Sequence, residues 1–460
     1  MHLVMIGGSD AGISAALRAR ELDPGAEVSV VVADAFPNFS ICGIPYYVSG
    51  EVTHWRNLAH RTTADLEATG MRLRLDTTAR RIDVPGRKLL VTAPGGNEEL
   101  LAYDKLIIGT GAVPVRPPIG GLDTLGPDDG VHLLHSMGDT FAVMRTLEET
   151  APATAVIVGA GYIGLEMADA LVTRGLSVTQ MEQLPEVLPT VDPGLGTLVH
   201  GQLAGHGVDV LTGTTVRQVS RAASGEAGRL RVEATTAAGQ AVTRPADLVL
   251  VVVGVRPDAD LAARAGAATS IRGAITVDRA MRTSLPDVLA AGDCVTTWHR
   301  LLGDSYLPLG TTAHKQGRVA GENALGGNRE FAGSLGTQVV KVFDHAAART
   351  GLRDHEAVRA GFDPVTVESH ADDHKAYYPG NHRITMRVTG DRATGRLLGM
   401  QLFGHRHAEV AKRIDIAATA IFHSMTVDAM GDLDLSYTPP LGSPWEAVQM
   451  GAQAWIREAT

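Results

Sequence analysis

The sequence predicts an α/β protein with two Rossmann-like dinucleotide-binding domains followed by a C-terminal α+β domain. Three observations carry this expectation. A short apolar strand runs into a glycine-rich turn and a helical stretch at two places in the chain. Glycine, at 52 of 460 residues, exceeds its usual share of about 7%. Beyond about residue 335 the glycine fingerprint does not recur and the texture changes.

The first unit starts at the N-terminus. Residues 2–6 form an apolar strand, Gly7-Gly8-Ser9-Asp10-Ala11-Gly12 make the turn, and a helix is expected from about Ile13 to Leu22. A second strand, Val28 to Ala33, ends at Asp34, so the unit fills about 30 residues. The second unit repeats the plan with Ala155–Val158, Gly159-Ala160-Gly161-Tyr162-Ile163-Gly164, a helix through Leu171, and Ser177–Met181 closed by Glu182. In such a turn the first glycine makes the bend and the second lets backbone approach a pyrophosphate. The third lets helix and strand pack closely, while the helix N-terminus offers N–H groups and a positive dipole end. The second copy is complete; the first has Ser9 at the middle glycine position. Glu182 would accept the ribose hydroxyls and repel a 2′-phosphate, which predicts NADH over NADPH; the bland alternative is a solvated strand-end carboxylate. Further on, Gln338–Phe343, Ile384–Val388 and Leu397–Phe403 read as strands before an alanine-rich helix, Val410–His423, and a dimerisation role suits them.

Composition removes several function classes. With 41 basic and 51 acidic side chains the net charge is −10, which argues against broad nucleic-acid binding. Two cysteines exclude a disulfide-rich scaffold and any four-cysteine zinc or iron–sulfur site. The N-terminus reads as strand and turn, not as a signal peptide, and the longest apolar run, Leu248 to Val255, is too short to cross a bilayer as a helix. A soluble, cytoplasmic protein with no membrane association is therefore expected. His132 with His135, and His405 with His407, lack a third ligand at plausible spacing, so no metal site is expected. No G-x-S-x-G elbow is present for a serine hydrolase.

Cys42 lies in Asn38-Phe39-Ser40-Ile41-Cys42-Gly43-Ile44-Pro45-Tyr46-Tyr47, just after the first unit. If a helix follows Gly43, its dipole would stabilise a thiolate at Cys42; the equal alternative is a small buried hydrophobe. No second cysteine stands at C-x-x-C or C-x₄-C spacing, so any disulfide at Cys42 is mixed, with an external thiol, or its sulfur passes through a sulfenic acid. Cys294, in Ala291-Gly292-Asp293-Cys294, reads as structural.

At these residues the chain resembles the flavoprotein pyridine nucleotide–disulfide oxidoreductases, in the single-cysteine branch of CoA-disulfide reductases, persulfide reductases, NADH oxidases and NADH peroxidases. The resemblance covers nearly the whole chain. It runs through Phe39-Ser40-x-Cys42-Gly43-x-Pro45-Tyr46, Tyr103-Asp104-x-Leu106-x-x-Gly109-Thr110-Gly111-Ala112-x-Pro114, Gly254-Val255-Arg256-Pro257 and Ala291-Gly292-Asp293-Cys294. It continues through Pro308-Leu309-Gly310-Thr311-Thr312-Ala313-His314-Lys315-Gln316-Gly317, Tyr377-Tyr378-Pro379-Gly380, Lys412-Arg413-Ile414-Asp415 and Asp434-Leu435-Ser436-Tyr437-Thr438-Pro439-Pro440.

The resemblance implies a glutathione-reductase-like arrangement: an FAD domain over 1–114, an NAD(P)H domain over 115–254, a return to the FAD domain over 255–333, and a dimerisation domain over 334–460. FAD would lie against Gly7, Gly8, Ser9, Ala11, Gly12 and Asp34, with Thr110, Gly111, Asp293, Leu309, Gly310, Thr311 and Thr312 along its ribityl chain and ring. NADH, with NADPH as the alternative donor, would use Gly159, Gly161, Tyr162, Ile163, Gly164, Glu182 and Gly254. Electrons would pass from NADH through FAD to Cys42 and on to a disulfide, a persulfide or a CoA-type thiol partner. In the implied homodimer, Tyr437 and either Tyr377 or Tyr378 would reach the partner subunit's sulfur site and serve as proton donors.

Four departures bear on the substrate. The oxidases and peroxidases carry a histidine where this chain has Asp10, which counts against peroxide chemistry; Asp10 would cap the helix or move a proton. Val32 replaces the acid at the end of the second strand, so Asp34 would take the ribose. Arg18 and Arg20 remain of the CoA phosphate site, but Glu21 adds negative charge, and Glu446-Ala447 replaces the usual Asp-Pro. The alternatives are an NADH oxidase or peroxidase, a reductase of a metal, metalloid or organosulfur acceptor, and a low-turnover redox-sensing flavoprotein.

Overall fold

The computed structural model describes residues 1–459. Its first sheet is all parallel, in the order Val288–Ala290, Lys105–Ile108, His2–Ile6, Glu27–Val31, Arg72–Arg74. The helix Asp10–Leu22 makes the first crossover and starts earlier than the expected Ile13; the second strand ends at Val31. Gly7 adopts φ +112°, and a Cβ there would fall 2.0 Å from Gly109 O, so only glycine makes this bend. Late residues complete the unit. The helix Gly310–Ala324 packs backbone to backbone on Asp10–Leu22, where Cβ atoms at Gly317 and Gly321 would each lie 2.3 Å from the carbonyl oxygens of Ala11 and Ala15.

The second sheet is also parallel, in the order Asp209–Leu211, Ser177–Met181, Thr154–Val158, Leu248–Val251, Val131–Leu133. Its strand Leu248–Val251 is buried throughout, as a central parallel strand covered on both faces must be. The chain passes between the two units twice at one place, because Ala112–Pro114 and Val255–Pro257 pair antiparallel. Each unit carries a three-stranded antiparallel sheet that the turn fingerprints do not announce: Thr78–Asp83, Lys88–Thr92 and Glu98–Ala102 in the first, Thr214–Arg221, Leu230–Thr236 and Ala241–Ala246 in the second.

The C-terminal domain is a five-stranded antiparallel sheet, in the order Gln338–Val342, His345–Gly351, Leu397–His405, Arg383–Asp391, Pro364–Asp372, with helices Val410–Phe422 and Ala447–Ala459 packed against it. Its outer end joins the other units. Val340, Val342 and Phe403 share one apolar cluster with Leu165 and Leu171 of the second unit and with Ile44, Val48 and Leu58, which flank Cys42. The segment after the cysteine is thus clamped where all three parts meet. Truncating a large member such as Phe403 to Ala would cost about 3–5 kcal/mol.

Candidate active site

The chain turns at Ile41–Gly43 into the helix Ile44–Ser49, with Pro45 in its first turn, and a Cβ at Gly43 would meet Leu58 Cδ2 at 2.6 Å. Cys42 therefore sits where the sequence put it, ahead of a helix, and it is exposed. The expected thiolate stabilisation does not prevail. Partial desolvation within its cleft pushes the Cys42 thiol up, and the carboxylates of Glu166, Asp10 and Asp293 push it further. A helix of six residues supplies too little dipole to offset this. Cys294 is fully buried, and its thiol lies 3.4 Å from Ala291 O.

Glu166 is the acid that the sequence reading missed. It projects from the helix Tyr162–Thr173 and accepts a hydrogen bond from the Tyr46 hydroxyl at 3.2 Å. Burial raises its carboxyl to about 7. Nearby, Lys341 pairs with Asp169 at 2.8 Å.

Asp10 is not a helix cap. Ser9 holds the cap position without a side-chain bond, and Asp10 is the first helical residue. Its Oδ1 lies 3.4 Å from His314 Nε2, and its Oδ2 lies 2.9 Å from where a Gly310 Cβ would stand. Burial pushes the Asp10 carboxyl up, against the pull of His314 and His60. Asp293, beside it, rises to about 6 through burial and the Asp10 charge.

The first turn fits a flavin dinucleotide. Asn38 Oδ1 and the Tyr306 hydroxyl are buried without a hydrogen-bond partner, and the Asp293 carboxyl acts on Tyr306 electrostatically. The two unpartnered groups are an acceptor and a donor waiting for a polar ligand. Thr110 Oγ1, in contrast, already donates to Asp258 O at 2.5 Å, and Thr312 Oγ1 to Ser334 Oγ at 3.3 Å, so these two threonines shape the wall. Gly111 is open beside Thr110, and Leu309 precedes the helix that starts at Gly310 and Thr311. Asp34 is exposed beyond the strand end, and its Oδ1 accepts from Phe36 N at 2.9 Å. The strand-end position is filled by Val32, whose Cγ1 is 2.6 Å from where a Gly8 Cβ would sit.

In the second turn that position belongs to Glu182. It is buried, and its carboxylate accepts from Ala160 N and Leu184 N, each at 2.8 Å. The Cβ of any residue replacing Gly164 would come within 2.2 Å of Gly159 O, whereas space is open at Gly161 and at Gly254. The half-buried Tyr162 and Ile163 begin the helix, and Tyr162 Oη accepts from Thr190 Oγ1 at 3.2 Å.

The tyrosines stand apart. Tyr377 is 74% exposed and Tyr437 44%, with Tyr378 similarly open, and no hydrogen bond or ring contact joins any of them to Cys42 within the single chain. Arg18 is taken up by Glu322 at 2.6 Å and Glu21 at 3.0 Å. Arg20 donates to the carbonyls of Thr69 and Ala26 at 2.8 and 2.6 Å. Glu446 is buried in a bond with Arg413 Nε at 2.5 Å, and Arg413 also donates to Asp373 O at 2.7 Å.

Comparison with known proteins agrees with this geometry. The family model for pyridine nucleotide-disulphide oxidoreductases matches residues 1–317, and the model for their dimerisation domain matches 337–448. An NAD(P)H sulfur oxidoreductase (CoA-dependent) of Pyrococcus furiosus is 35% identical over 96% of each chain. An NADH oxidase of Methanocaldococcus jannaschii is 31% identical over 100% of this chain and 99% of its own. The structure of a NAD-dependent persulfide reductase from A. fulgidus superposes with a TM-score of 0.92 at 37% identity, covering 100% of this chain and 83% of that one. The chain belongs to the pyridine nucleotide-disulphide oxidoreductase family.

Proposed function

We propose that the protein is a homodimeric reductase that takes electrons from NADH and delivers them through FAD to a disulfide or persulfide at Cys42. One observation carries the reading: the exposed thiol of Cys42 lies within electrostatic reach of Asp10, in the first nucleotide turn, and of Glu166, in the helix that follows the second. FAD, when bound, supplies a two-electron relay between nicotinamide and sulfur. The residues 1–114 with 255–333 would hold FAD, 115–254 the nicotinamide nucleotide, and 334–460 the dimer contact. Cys42 as thiolate attacks the sulfur–sulfur bond, one half leaves and takes a proton, and the other half remains as a mixed disulfide that two electrons and a second proton release as thiol. Tyr437, with Tyr377 and Tyr378, would supply protons from the partner subunit.

Glu182 supports NADH as the donor. Arg18 and Arg20, both engaged within the chain, favour a small thiol partner over one recognised by its phosphates. Anaerobic titration tests the reading: the oxidised protein should take up electrons beyond those of its flavin and expose one new thiol per subunit. Full turnover with disulfide or persulfide in Cys42→Ser would end it. A second reading, NADH oxidase, draws on His314, which brings an imidazole to the Asp10 position from another helix. It requires fast, Cys42-dependent oxygen consumption.

A further inference from the structure

Neither His132 with His135 nor His405 with His407 has a third ligand at plausible spacing in the sequence, yet the fold brings a different set together. Asp10, His60 and His314 each offer a ligand atom, and these atoms lie within 4.8 Å of one another. The Asp10 Oδ1 to His314 Nε2 separation is 3.4 Å. Two ligands bound at about 2.0–2.1 Å to a tetrahedral ion stand about 3.3–3.4 Å apart, so this edge already has the required length. His314 Nδ1 lies 2.8 Å from Ser14 Oγ. With Nδ1 donating to Ser14, the Nε2 lone pair faces the carboxylate, as in the outer-sphere contacts that orient metal-bound histidines.

The scaffold is stiff. Asp10 and His314 stand on the two helices that touch through Gly317 and Gly321, and His60 is held by its backbone N–H on Asn38 O at 2.9 Å. Two carboxylates share the neighbourhood, because Asp293 and Asp10 act on one another, and the imidazoles of His314 and His60 face Asp10. His60 is exposed, so one side of the cluster opens to solvent.

We propose that Asp10, His60 and His314 form a binding site for a zinc-class divalent ion, its remaining position open to water or a small thiolate. Two imidazoles and a carboxylate are a donor set that such ions take readily. The site does not depend on the redox reading, but an ion there would offset the Asp10 charge, which with Glu166 and Asp293 opposes the Cys42 thiolate.

The test uses flavin-loaded protein carrying Cys42→Ser, so that the reactive thiol cannot itself take the metal. Equilibrium dialysis against buffered zinc should leave one zinc per flavin. Added His314→Ala or Asp10→Asn should abolish that binding, and Ser14→Ala should weaken it by about 10–100-fold. Flavin content reports whether each variant has folded. Zinc-soaked crystals of the parent should show an anomalous peak among the three side chains. No stoichiometric zinc in the parent, equal affinity in His314→Ala, or a peak elsewhere would overturn the site and leave a shared proton as the link between Asp10 and His314.

Discussion

On the proposed reading Cys42 reacts as a thiolate, yet burial raises its thiol and three carboxylates raise it further, Glu166 the most strongly of the three. The sign of its effect follows from its own titration near 7: above that pH the carboxylate is charged and opposes the thiolate, below it the group is neutral. Glu166→Gln should therefore raise the alkylation rate of Cys42 severalfold at pH 8 and change it little at pH 6, as measured with iodoacetamide on the oxidant-free protein. At the other turn, Glu182→Ala removes a buried acceptor of two backbone N–H groups. On the proposal that Glu182 also takes the ribose hydroxyls, the KM for NADH should rise by about tenfold while that for NADPH falls. Glu182 could be singled out in the sequence because it closes the strand that follows a glycine turn, and Cys42 because its surrounding segment resembles that of the family, spacing alone leaving it open. Glu166 could not, since only the packing of Tyr162–Thr173 on Ile44–Ser49 brings it to the thiol, and His60 and His314 reach Asp10 in the same way.

Between elements, a polar seam ties the second unit to the C-terminal sheet. Asp192 accepts from Arg387 Nε at 2.9 Å and Gln401 Nε2 at 2.7 Å, and its own N–H donates to Gln401 Oε1 at 2.6 Å. Close by, Arg353 reaches Pro189 O at 2.7 Å while it pairs with Glu356, which Arg349 also contacts. Burial alone would raise the Glu356 carboxyl, but the two arginines outweigh it and hold it at about 2. Because that lies below its ordinary value of 4.5, the stabilisation is complete above 4.5 and is lost as pH falls toward 2. Allowing for partial exposure it amounts to about 2–3 kcal/mol. Glu356→Gln should lower Tm at pH 7 and flatten the acid limb of the stability curve between pH 5 and 2.5. The contacts that cross this seam are not legible in the chain, because their partners lie 164 to 209 residues apart. The strands and helices that feed the two turns were legible, because a parallel unit repeats strand, bend and helix in fixed order. The antiparallel triplets were not: Thr214–Arg221 and its neighbours are half exposed and too mixed in polarity to stand out from loops.

For the whole molecule, Tyr377, Tyr378, Tyr437, Leu441 and Trp445 of the domain that matches the family's dimerisation model are each exposed, which the proposed homodimer would explain. Trp445→Asp should shift the protein toward monomer in sedimentation and cut turnover with it. If Tyr437 serves the partner subunit, mixing Cys42→Ser with Tyr437→Phe subunits restores one intact site per mixed dimer; if it serves its own, mixing restores nothing. The discontinuity of the first unit has a consequence in time. Its strand Lys105–Ile108 is left with one side open until Val288–Ala290 is made, about 180 residues later. At synthesis rates of about 5–20 residues per second, that side stays unpaired for about 10–40 s while the intervening nucleotide unit emerges whole. On the ribosome the middle of this protein is thus ready to fold before its beginning, and an arrested chain ending near residue 260 should show a protease-resistant second unit attached to a cleavable first one.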